Sequence, residues 1–355
     1  MAIKYVQIAA LLRSAIKSGA FQDTMRLPTE MELSAKYQVN RQTVRRALAM
    51  LAQEGLIERR QGSGSYIQNI FQTSSSSIAI VATYINDYIF PSILQDVQTT
   101  FDQNGYSTMV FCTYNKVNME RKILSDVLEH PVRALLVEGT KTALPNPNLD
   151  LYKRLHASGI PVVFLHGSYP ALQDSICISD DNFHGGYLLA QYLLKKGHRE
   201  IAGIFKSDDI QGQERYAGFL AAFRNAGLPL PEAHIQWYTT EDKIQILKNR
   251  DSTFLKNFIA GKLRGCTAVV CYNDEIAFSL INYLTDSHVR VPEEMAVVSF
   301  DNSTYSELCC VKITSLAHGT NHIGRIAAET LIDMLNGKNV QSKAVPWILA
   351  EKESS

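Results

Sequence analysis

The sequence predicts a multidomain protein in which a small N-terminal α+β domain precedes a large α/β body with two subdomains. Three observations support this prediction. Helical periodicity followed by a glycine-centred hairpin occupies residues 1–68, a serine-rich break follows at 69–77, and short apolar strands recur over 78–355. The chain has 355 residues and is 46% hydrophobic, which suffices for two or three domains with sizeable cores.

The net charge of the chain is zero, but its two parts carry opposite charges. Residues 1–70 contain ten Lys and Arg against five Asp and Glu, a net charge of +5, so the remaining residues carry −5. A basic N-terminal part on an acidic body predicts that the N-terminal part binds nucleic acid.

Two helices are predicted before residue 40. The first covers residues 4–18, where apolar side chains recur at helical spacing, and Gly19 follows at the position of a C-cap. The second begins at Glu30 after Thr29. Because Glu32 stands three residues after Thr29, the two side chains predict a capping box.

A third helix is predicted from Asn40, as its N-cap, to about Glu54. One face of this helix is apolar (Val44, Ala47, Leu48 and Leu51), and the other carries Arg41, Arg45 and Arg46. Such a helix is either a solvated surface helix or a recognition helix in a DNA groove. The short turn QVN before it favours a helix-turn-helix.

The hydrophobic period changes after the third helix. The segment LIERRQGSGSYI predicts two strands around Gly62 and Gly64, because glycine permits a tight hairpin. Three helices followed by a hairpin predict a winged helix-turn-helix. The wing tip, Gln61 and Gly62, is then expected to reach a minor groove or the DNA backbone.

The start of the third helix holds the side chains suited to DNA. Arg41 and Gln42 stand where base edges are reached, and Arg45 projects from the same face one turn later. Thr43 and Lys4 suit phosphate contacts, which position a protein without specifying sequence.

The segment LPTEMELSAKYQVNRQTVRRALAMLAQEGLIERRQGSGSYI resembles the DNA-binding domain of GntR-family transcription regulators, over residues 3–68. The DNA-contacting positions that this resemblance implies are Lys4, Glu30, Arg41, Gln42, Thr43, Arg45, Gln61 and Gly62. For Glu30 two roles stay open: its carboxylate could accept a hydrogen bond from cytosine, or it could cap the second helix.

Residues 69–77 break all periodicity, and their serine run predicts a flexible linker. Beyond it, strands recur at βαβ spacing, and their apolar runs predict parallel sheets covered by helices. The predicted strands are 78–82, 108–112, 134–138, 161–165, 201–205, 268–272 and 296–300. Their number favours two α/β subdomains.

Polar and aromatic side chains follow these strands, at the sheet edge where α/β proteins bind ligands. They include Tyr84, Asp87, Tyr88, Phe90, Glu138, His166, Lys206, Asp208, Asp209, Asn273, Asp274, Asp301, Asn302 and, after a further apolar segment, His318. Each could simply cap a helix or serve structure, but their convergence favours a site. Aromatic rings with carboxylates and amides suit a sugar.

The segments SDDNFHGGYLLAQYLLKKGHREIAGIF, QGQERYAGFLAAFRNAG, CYNDEIAFSLINYL and VPEEMAVVSFDNS resemble the effector-binding core of LacI-family repressors, over about residues 78–350. The resemblance implies a type I periplasmic-binding-protein-like fold with two Rossmann-like subdomains. The ligand contacts that it implies are Tyr88, Phe90, His166, Arg215, Asn273, Asp301 and His318. Glu138 and Lys206 join them from their positions at strand ends alone.

Together the two resemblances imply a transcriptional repressor that binds double-stranded operator DNA as a homodimer and is released by a sugar. L-arabinose is the leading effector. Another sugar or a nucleoside stays open as the effector, as does an enzyme, because GntR-type domains also occur fused to aminotransferase-like bodies. No phosphate-binding glycine loop or metal-ligand spacing stands out, so no cofactor or metal is expected.

The N-terminus lacks the features of a signal peptide, and no apolar run is long enough to span a membrane. We therefore expect a cytoplasmic protein without a membrane partner. The six cysteines form no CxxC pair and stand mostly in apolar runs, which is typical of buried free thiols.

Overall fold

The computed structural model of the protein describes residues 4–17, 21, 26–53, 56–60, 64–67, 76–229, 231–248, 253–320 and 322–355. The predicted wing tip, Gln61 and Gly62, lies outside these residues, as does most of the predicted linker at 69–77.

The N-terminal part contains the three predicted helices and the predicted hairpin. These elements are α1 (Lys4–Lys17), α2 (Glu30–Tyr37), α3 (Arg41–Gln53), β1 (Ile57–Arg60) and β2 (Gly64–Ile67). The two strands pair antiparallel. The apolar face predicted for α3 is buried, and it packs with residues of α1 that include Ile8 and Leu12.

Both predicted N-caps are present, and the predicted C-cap residue Gly19 lies outside the described residues. The Thr29 hydroxyl accepts a hydrogen bond from the Glu32 amide, and the Glu32 carboxylate accepts one from the Thr29 amide at 2.7 Å. The Asn40 side chain accepts a hydrogen bond from the Thr43 amide at 2.8 Å. These bonds satisfy amides that a helix start leaves without partners, so they define where α2 and α3 begin.

Two lobes form the body, each around one six-stranded sheet. The N-lobe comprises β3 (Ser77–Ala82), α4 (Phe90–Gln103), β4 (Ser107–Cys112), α5 (Val117–Glu129), β5 (Ala134–Val137), α6 (Leu149–Ala157), β6 (Val162–Leu165) and β7 (Ile176–Asp180). Its strand order is β13-β7-β6-β5-β3-β4, and all pairs are parallel.

The C-lobe comprises α7 (Asn182–Lys195), β8 (Ile201–Lys206), α8 (Ile210–Asn225), a short 3₁₀ helix (Glu232–His234), β9 (Ile235–Tyr238), α9 (Thr240–Lys248), α10 (Thr253–Ala260), β10 (Ala268–Cys271), α11 (Asp274–Asp286), β11 (Ala296–Phe300), α12 (Thr304–Leu308) and β12 (Thr314–Ala317). Its strand order is β14-β12-β11-β10-β8-β9. Only β14 runs antiparallel to its neighbour in this sheet.

The chain returns to both lobes near its C-terminus through α13 (Ile323–Leu335), β13 (Lys343–Val345) and β14 (Ile348–Ala350). Helix α13 packs in the N-lobe core, where Ala327 and Leu331 are fully buried. The chain therefore crosses between the lobes after β7, after β12 and between β13 and β14. These crossings lie beside the carboxyl ends of strands from both sheets.

All seven predicted body strands are confirmed, with ends within one residue of the prediction. The structure adds β7, β9, β12, β13 and β14, so each sheet has six strands. Among the described residues, no helix combines the length and the apolarity needed to cross a membrane.

Candidate functional site

A cleft between the lobes brings together eight of the nine side chains that the sequence singles out as effector contacts. It encloses about 730 Å³ between atoms, including its opening to solvent. The eight are Tyr88, Phe90, Glu138, His166, Lys206, Arg215, Asn273 and Asp301. They come from both lobes and lie near the carboxyl ends of the strands, which is where an α/β fold binds ligands.

Tyr88 joins the two lobes. It follows β3 in the N-lobe, and its backbone has a positive φ of 61°. Its hydroxyl donates to the Asp301 carboxylate at 2.6 Å and accepts from the Asp274 amide at 3.1 Å, both in the C-lobe. Burial, followed by the Asp301 charge, raises the pKa of Tyr88 well above its ordinary value. The hydroxyl therefore stays protonated and keeps donating.

On the N-lobe side, Glu138 and His166 form a pair at the ends of β5 and β6. One Glu138 oxygen accepts from the amide and the hydroxyl of Thr83, at 2.7 and 2.5 Å. The other lies 3.4 Å from Nδ1 of His166. Burial lowers the pKa of His166, but Glu138 and Asp180 outweigh that effect and raise it above the ordinary value.

Lys206 ends β8 on the C-lobe side and is 5% exposed. Its ammonium pairs with the Asp209 carboxylate and lies 3.3 Å from the Asp208 carboxylate. Burial works against the Lys206 charge, but these two carboxylates raise its pKa above the ordinary value. Burial also raises the pKa of Asp209 despite the ammonium beside it. Lys206 is therefore protonated, and carboxylates of its own lobe balance its charge.

Arg215, on α8, is 2% exposed and lies between the lobes. Its guanidinium donates to Asn182 at 2.9 Å and to the Tyr272 carbonyl at 2.5 Å. It also lies 3.6 Å from the Asp301 carboxylate and 4.0 Å from the Asp180 carboxylate. Because Asp180 ends β7 of the N-lobe, this single cation faces carboxylates of both lobes.

Aromatic rings enclose the Arg215 guanidinium, which lies 4.1 Å from the Phe300 ring centre and 4.7 Å from that of Tyr272. Rings at these distances stabilise a cation and fix its plane. A second aromatic group stands on the N-lobe side, where the Phe90 ring lies 6.1 Å from Tyr84 and 6.2 Å from His166.

Asp301 and Asn273 follow neighbouring strands of the C-lobe. Asp301 has a φ of 93°, and its amide donates to the Leu316 carbonyl at 2.8 Å. This backbone geometry directs its carboxylate to Tyr88 and Arg215. Asn273 is the N-cap of α11 and accepts from the Ile276 amide at 3.2 Å. Asn273 therefore caps a helix and lines the cleft at the same time.

His318 does not line the cleft. It donates to the Asp180 carboxylate at 2.6 Å and stacks on Trp347 with ring centres 4.1 Å apart. Asp180 does line the cleft. Burial raises the pKa of Asp180, but His318, His166 and Arg215 lower it below the ordinary value. The contact of His318 with the cleft is thus through Asp180.

Sequence reasoning missed several cleft side chains. Asp180 and Tyr238 end β7 and β9, and the strand-end rule would have found them had those strands been predicted. Lys243 lies on α9, where it pairs with Glu275 at 2.6 Å and stands 5.1 Å from the Tyr84 ring centre. No signal in the sequence distinguishes it from a surface lysine.

The cations that line the cleft each have a carboxylate within reach. Lys206 pairs with Asp209, Arg215 faces Asp301, and Lys243 pairs with Glu275. His166 has Glu138 at 3.4 Å. The cleft can therefore offer donors and acceptors to hydroxyl groups, but it holds no cation without a counter-charge for an anionic ligand.

Glycines on α7 and α8 determine where Arg215 stands. A Cβ added at Gly186 would lie 1.9 Å from the Arg215 carbonyl oxygen, and one at Gly218 would lie 1.8 Å from that of Phe183. A Cβ at Gly212 would lie 1.9 Å from the Lys206 carbonyl oxygen. Only glycine permits these approaches of backbone to backbone. They hold α8 against α7 and β8, and so position Arg215 and Lys206.

In the N-terminal domain, Arg45 and Glu30 contact each other. Nε of Arg45 lies 2.8 Å from the Glu30 carboxylate, and the Arg45 side chain is 58% exposed. The helix cap itself is made by Thr29 and Glu32. Other side chains therefore take the capping role that was left open for Glu30, and its contact with DNA stays a prediction.

The other described candidates for DNA contact lie at helix starts. Lys4, Arg41 and Gln42 are exposed. Thr43 is half-buried, and its hydroxyl donates to Asn40 at 2.8 Å.

Comparisons with known proteins agree with both parts of this architecture. The family model for bacterial regulatory proteins of the gntR family matches residues 4–67, and that for the periplasmic binding protein-like domain matches residues 190–355. Two proteins named arabinose metabolism transcriptional repressor, from Halalkalibacterium halodurans and Geobacillus stearothermophilus, are each 35% identical to this chain. The alignments cover 94% and 95% of this chain and 90% and 92% of theirs. The chain belongs to this family of transcriptional repressors.

The fold of the repressor body is that of LacI-type regulators. A periplasmic binding protein/LacI transcriptional regulator from Alkaliphilus metalliredigens, solved with D-xylulofuranose, superposes with a TM-score of 0.66 at 22% identity. The superposition covers 79% of the repressor and 99% of that chain. The repressor thus combines a GntR-type DNA-binding domain with a LacI-type body of two parallel-sheet lobes, and it is a regulator of sugar metabolism rather than an enzyme.

The Gly186→Ala substitution tests how Arg215 is positioned. The added methyl group must separate α7 from α8, so we expect the free energy of unfolding to fall by about 1–3 kcal/mol. Because Arg215 moves with α8, ligand binding in the cleft should weaken as well. Denaturant unfolding and ligand titration measure the two effects.

Gly261→Ala is the control, since a Cβ there would lie 3.0 Å from the Asn257 carbonyl and needs only a small shift. Unchanged stability and unchanged ligand binding in Gly186→Ala would contradict this account of Arg215.

Proposed function

We propose that the repressor is released from operator DNA by a neutral sugar in the cleft, and that this sugar is L-arabinose. The observation that carries the proposal is the pairing of every cleft cation described above with a carboxylate. A phosphorylated sugar or a nucleotide would have to compete with these carboxylates for the cleft cations, whereas a neutral polyol needs only donors and acceptors. The names of the two 35%-identical relatives support arabinose among neutral sugars.

The arrangement of side chains also suits a pyranose or furanose ring. The rings of Phe90 and Tyr84 offer apolar faces for the C–H groups of a sugar, and the carboxylates of Glu138, Asp180 and Asp301 can accept from its hydroxyls. Arg215 and Lys206 supply donors. In this proposal His318 acts through Asp180, and Asn273 donates through its amide.

We propose that the sugar favours closure of the lobes. The bonds that cross the cleft join Tyr88 to Asp301 at 2.6 Å, Asn115 to Thr240 at 2.7 Å, and Lys141 to Glu241 at 2.7 Å. A ligand that contacts both lobes adds to these bonds and shifts the population toward the closed state. For regulation, the closed state must bind the operator less tightly than the open state does.

In this proposal residues 1–68 form the DNA-binding domain and residues 69–77 form the linker. Residues 78–355 form the effector-binding and dimerisation domain. We propose that Arg41, Gln42 and Arg45 contact base edges, and that Lys4, Thr43 and the wing tip contact the backbone. Glu30 serves this surface by orienting Arg45. A DNA-binding regulator of metabolism acts in the cytoplasm.

We further propose that the repressor is a homodimer, since a winged helix that recognises a pseudo-palindrome needs two copies. The candidate face is an apolar band of exposed side chains on α9 and α12, both of which pack against α11, and on the segment after β4. Its members are Tyr114, Ile244, Leu247, Tyr305 and Leu308. Tyr114 belongs to this band because its neighbour Asn115 bonds Thr240, the first residue of α9.

Asp301→Asn tests the cleft. Asparagine has the size of aspartate and also tolerates a positive φ, but it lacks the charge that faces Arg215. We expect L-arabinose affinity, measured by calorimetric titration, to fall roughly 10- to 100-fold while operator binding without sugar stays unchanged. D-xylose, D-ribose, D-galactose and a nucleoside serve as comparators. An unchanged sugar response would remove Asp301 from the site, and wild-type binding of a comparator alone would remove arabinose.

Arg45→Ala tests the recognition helix on an operator selected from random duplexes by the wild-type protein. Losing a bidentate donor to guanine should cost about 1–3 kcal/mol of operator affinity and broaden the selected sequence. Arg46→Ala is the matched control, because it removes the same charge from an exposed position about 100° around the helix from Arg45, whereas Arg41 and Arg45 are stacked one turn apart. Equal losses on operator and random DNA would show that Arg45 contacts phosphate only.

Leu308→Glu tests the dimer face, because Leu308 is 73% exposed in the single chain and a charge there opposes apolar contact. Sedimentation equilibrium should show the dimer dissociation constant raised roughly tenfold or more, with weaker operator binding. Phe183→Glu, an exposed apolar position outside the band, should leave the dimer intact. A Leu308→Glu protein that remains fully dimeric would place the interface elsewhere.

A further inference from the structure

Tyr238 lines the cleft and has a buried hydroxyl that no other described group satisfies. The residue ends β9 and is 1% exposed. Its backbone carbonyl accepts from the amide and the hydroxyl of Ser207, at 2.9 and 3.1 Å. Its ring meets that of Tyr272 edge to face, 5.9 Å between centres. The ring is thus held firmly while its polar atom lacks a partner.

The buried phenols of Tyr152 and Tyr169 differ from Tyr238 in this respect. Their hydroxyls both donate to the buried carboxylate of Glu120, at 2.9 and 2.5 Å. The hydroxyl of the half-buried Tyr88 also has a partner, because it donates to Asp301. A buried hydroxyl without a partner is unfavourable, and proteins rarely retain one without a reason. The unsatisfied Tyr238 hydroxyl belongs to a side chain in the wall of the cleft.

A hydroxyl of a ligand supplies what Tyr238 lacks. The phenol can both donate and accept, and burial raises its pKa well above the ordinary value, so it stays protonated. Asn115 of the N-lobe, which also lines the cleft, donates to Thr240 at 2.7 Å, and Thr240 follows Tyr238 by two residues. The segment that carries Tyr238 therefore takes part in a bond between the lobes.

We propose that Tyr238 is a specificity-determining contact of the effector: its hydroxyl bonds one ring hydroxyl of the sugar and selects against sugars that lack it. This inference rests on the proposed function. A site with a buried polar group discriminates strongly against an analogue that leaves the group unpaired. Tyr238 would thus separate sugars that differ at a single hydroxyl.

The test compares the full-length wild type with Tyr238→Phe, which removes only the oxygen. Calorimetric titration with L-arabinose, its monodeoxy analogues and the comparator sugars gives the dissociation constants. We expect Tyr238→Phe to weaken L-arabinose binding roughly 5- to 50-fold. We also expect one monodeoxy analogue to bind wild type and variant equally, because the bond is already absent. Thermal unfolding without ligand should show an equal or higher Tm in the variant.

Tyr152→Phe is the matched control: it removes a buried phenolic oxygen that is already bonded, so it should lower the Tm and leave the L-arabinose dissociation constant within about twofold. The inference is overturned if Tyr238→Phe binds L-arabinose as tightly as wild type does. It is also overturned if the Tm of Tyr238→Phe falls as that of Tyr152→Phe does, because the Tyr238 hydroxyl would then already have a partner in the protein. Wild type that binds none of the sugars overturns the proposed function, and the role of Tyr238 with it. Wild type that binds another sugar, with the same loss in Tyr238→Phe, removes arabinose and keeps Tyr238.

Discussion

One buried cation faces carboxylates of both lobes across the cleft. Arg215 faces Asp301 of one lobe and Asp180 of the other, at 3.6 and 4.0 Å, and its remaining donors bond Asn182 and the Tyr272 carbonyl. A guanidinium taken out of water is costly unless nearly every donor has a partner. This requirement explains the aromatic rings around it, the glycines that bring α8 close to α7, and the His318–Trp347 stack behind Asp180.

Charge pairing gives the cleft its character as a binding site. Two lysines lie beside carboxylates as Arg215 does: Lys206 pairs with Asp209, and Lys243 pairs with Glu275. Each pair offers N–H donors and carboxylate acceptors to the hydroxyl groups of a ligand. Because the opposite charges of a pair balance, the pair does not attract an anion. Asn273 both caps α11 and lines the cleft, so a structural role and a place in the site are compatible at one residue.

Sequence patterns were sufficient for much of this architecture. The three helices, both N-caps and the seven predicted body strands follow from apolar periodicity and local capping chemistry. The strands that were not predicted are short or partly exposed: β13 and β14 have three residues each, and β7 reads ICISD, with polar residues and incomplete burial. Their pairing depends on neighbours far along the chain, which no local pattern reports. Because β7 and β9 were not predicted, Asp180 and Tyr238 at their ends were not predicted as cleft residues either. The Glu30–Arg45 pair spans fifteen positions and needed the packing of α2 against α3 to be seen.

The return of α13 to the N-lobe has a consequence for how the repressor is made. Ala327, Ala328 and Leu331 complete a core whose first strand begins at Ser77, and β13 closes the edge of the same sheet. During synthesis, about 250 residues separate that first strand from the helix that covers it. The N-lobe therefore finishes folding only after the C-lobe elements from α7 to β12 have been synthesised, whereas the winged helix, with a core made of residues 8–57, can fold first. A truncated chain that ends before α13 would carry a folded DNA-binding domain on an unfinished body, and it would be a substrate for proteases rather than a partial sensor.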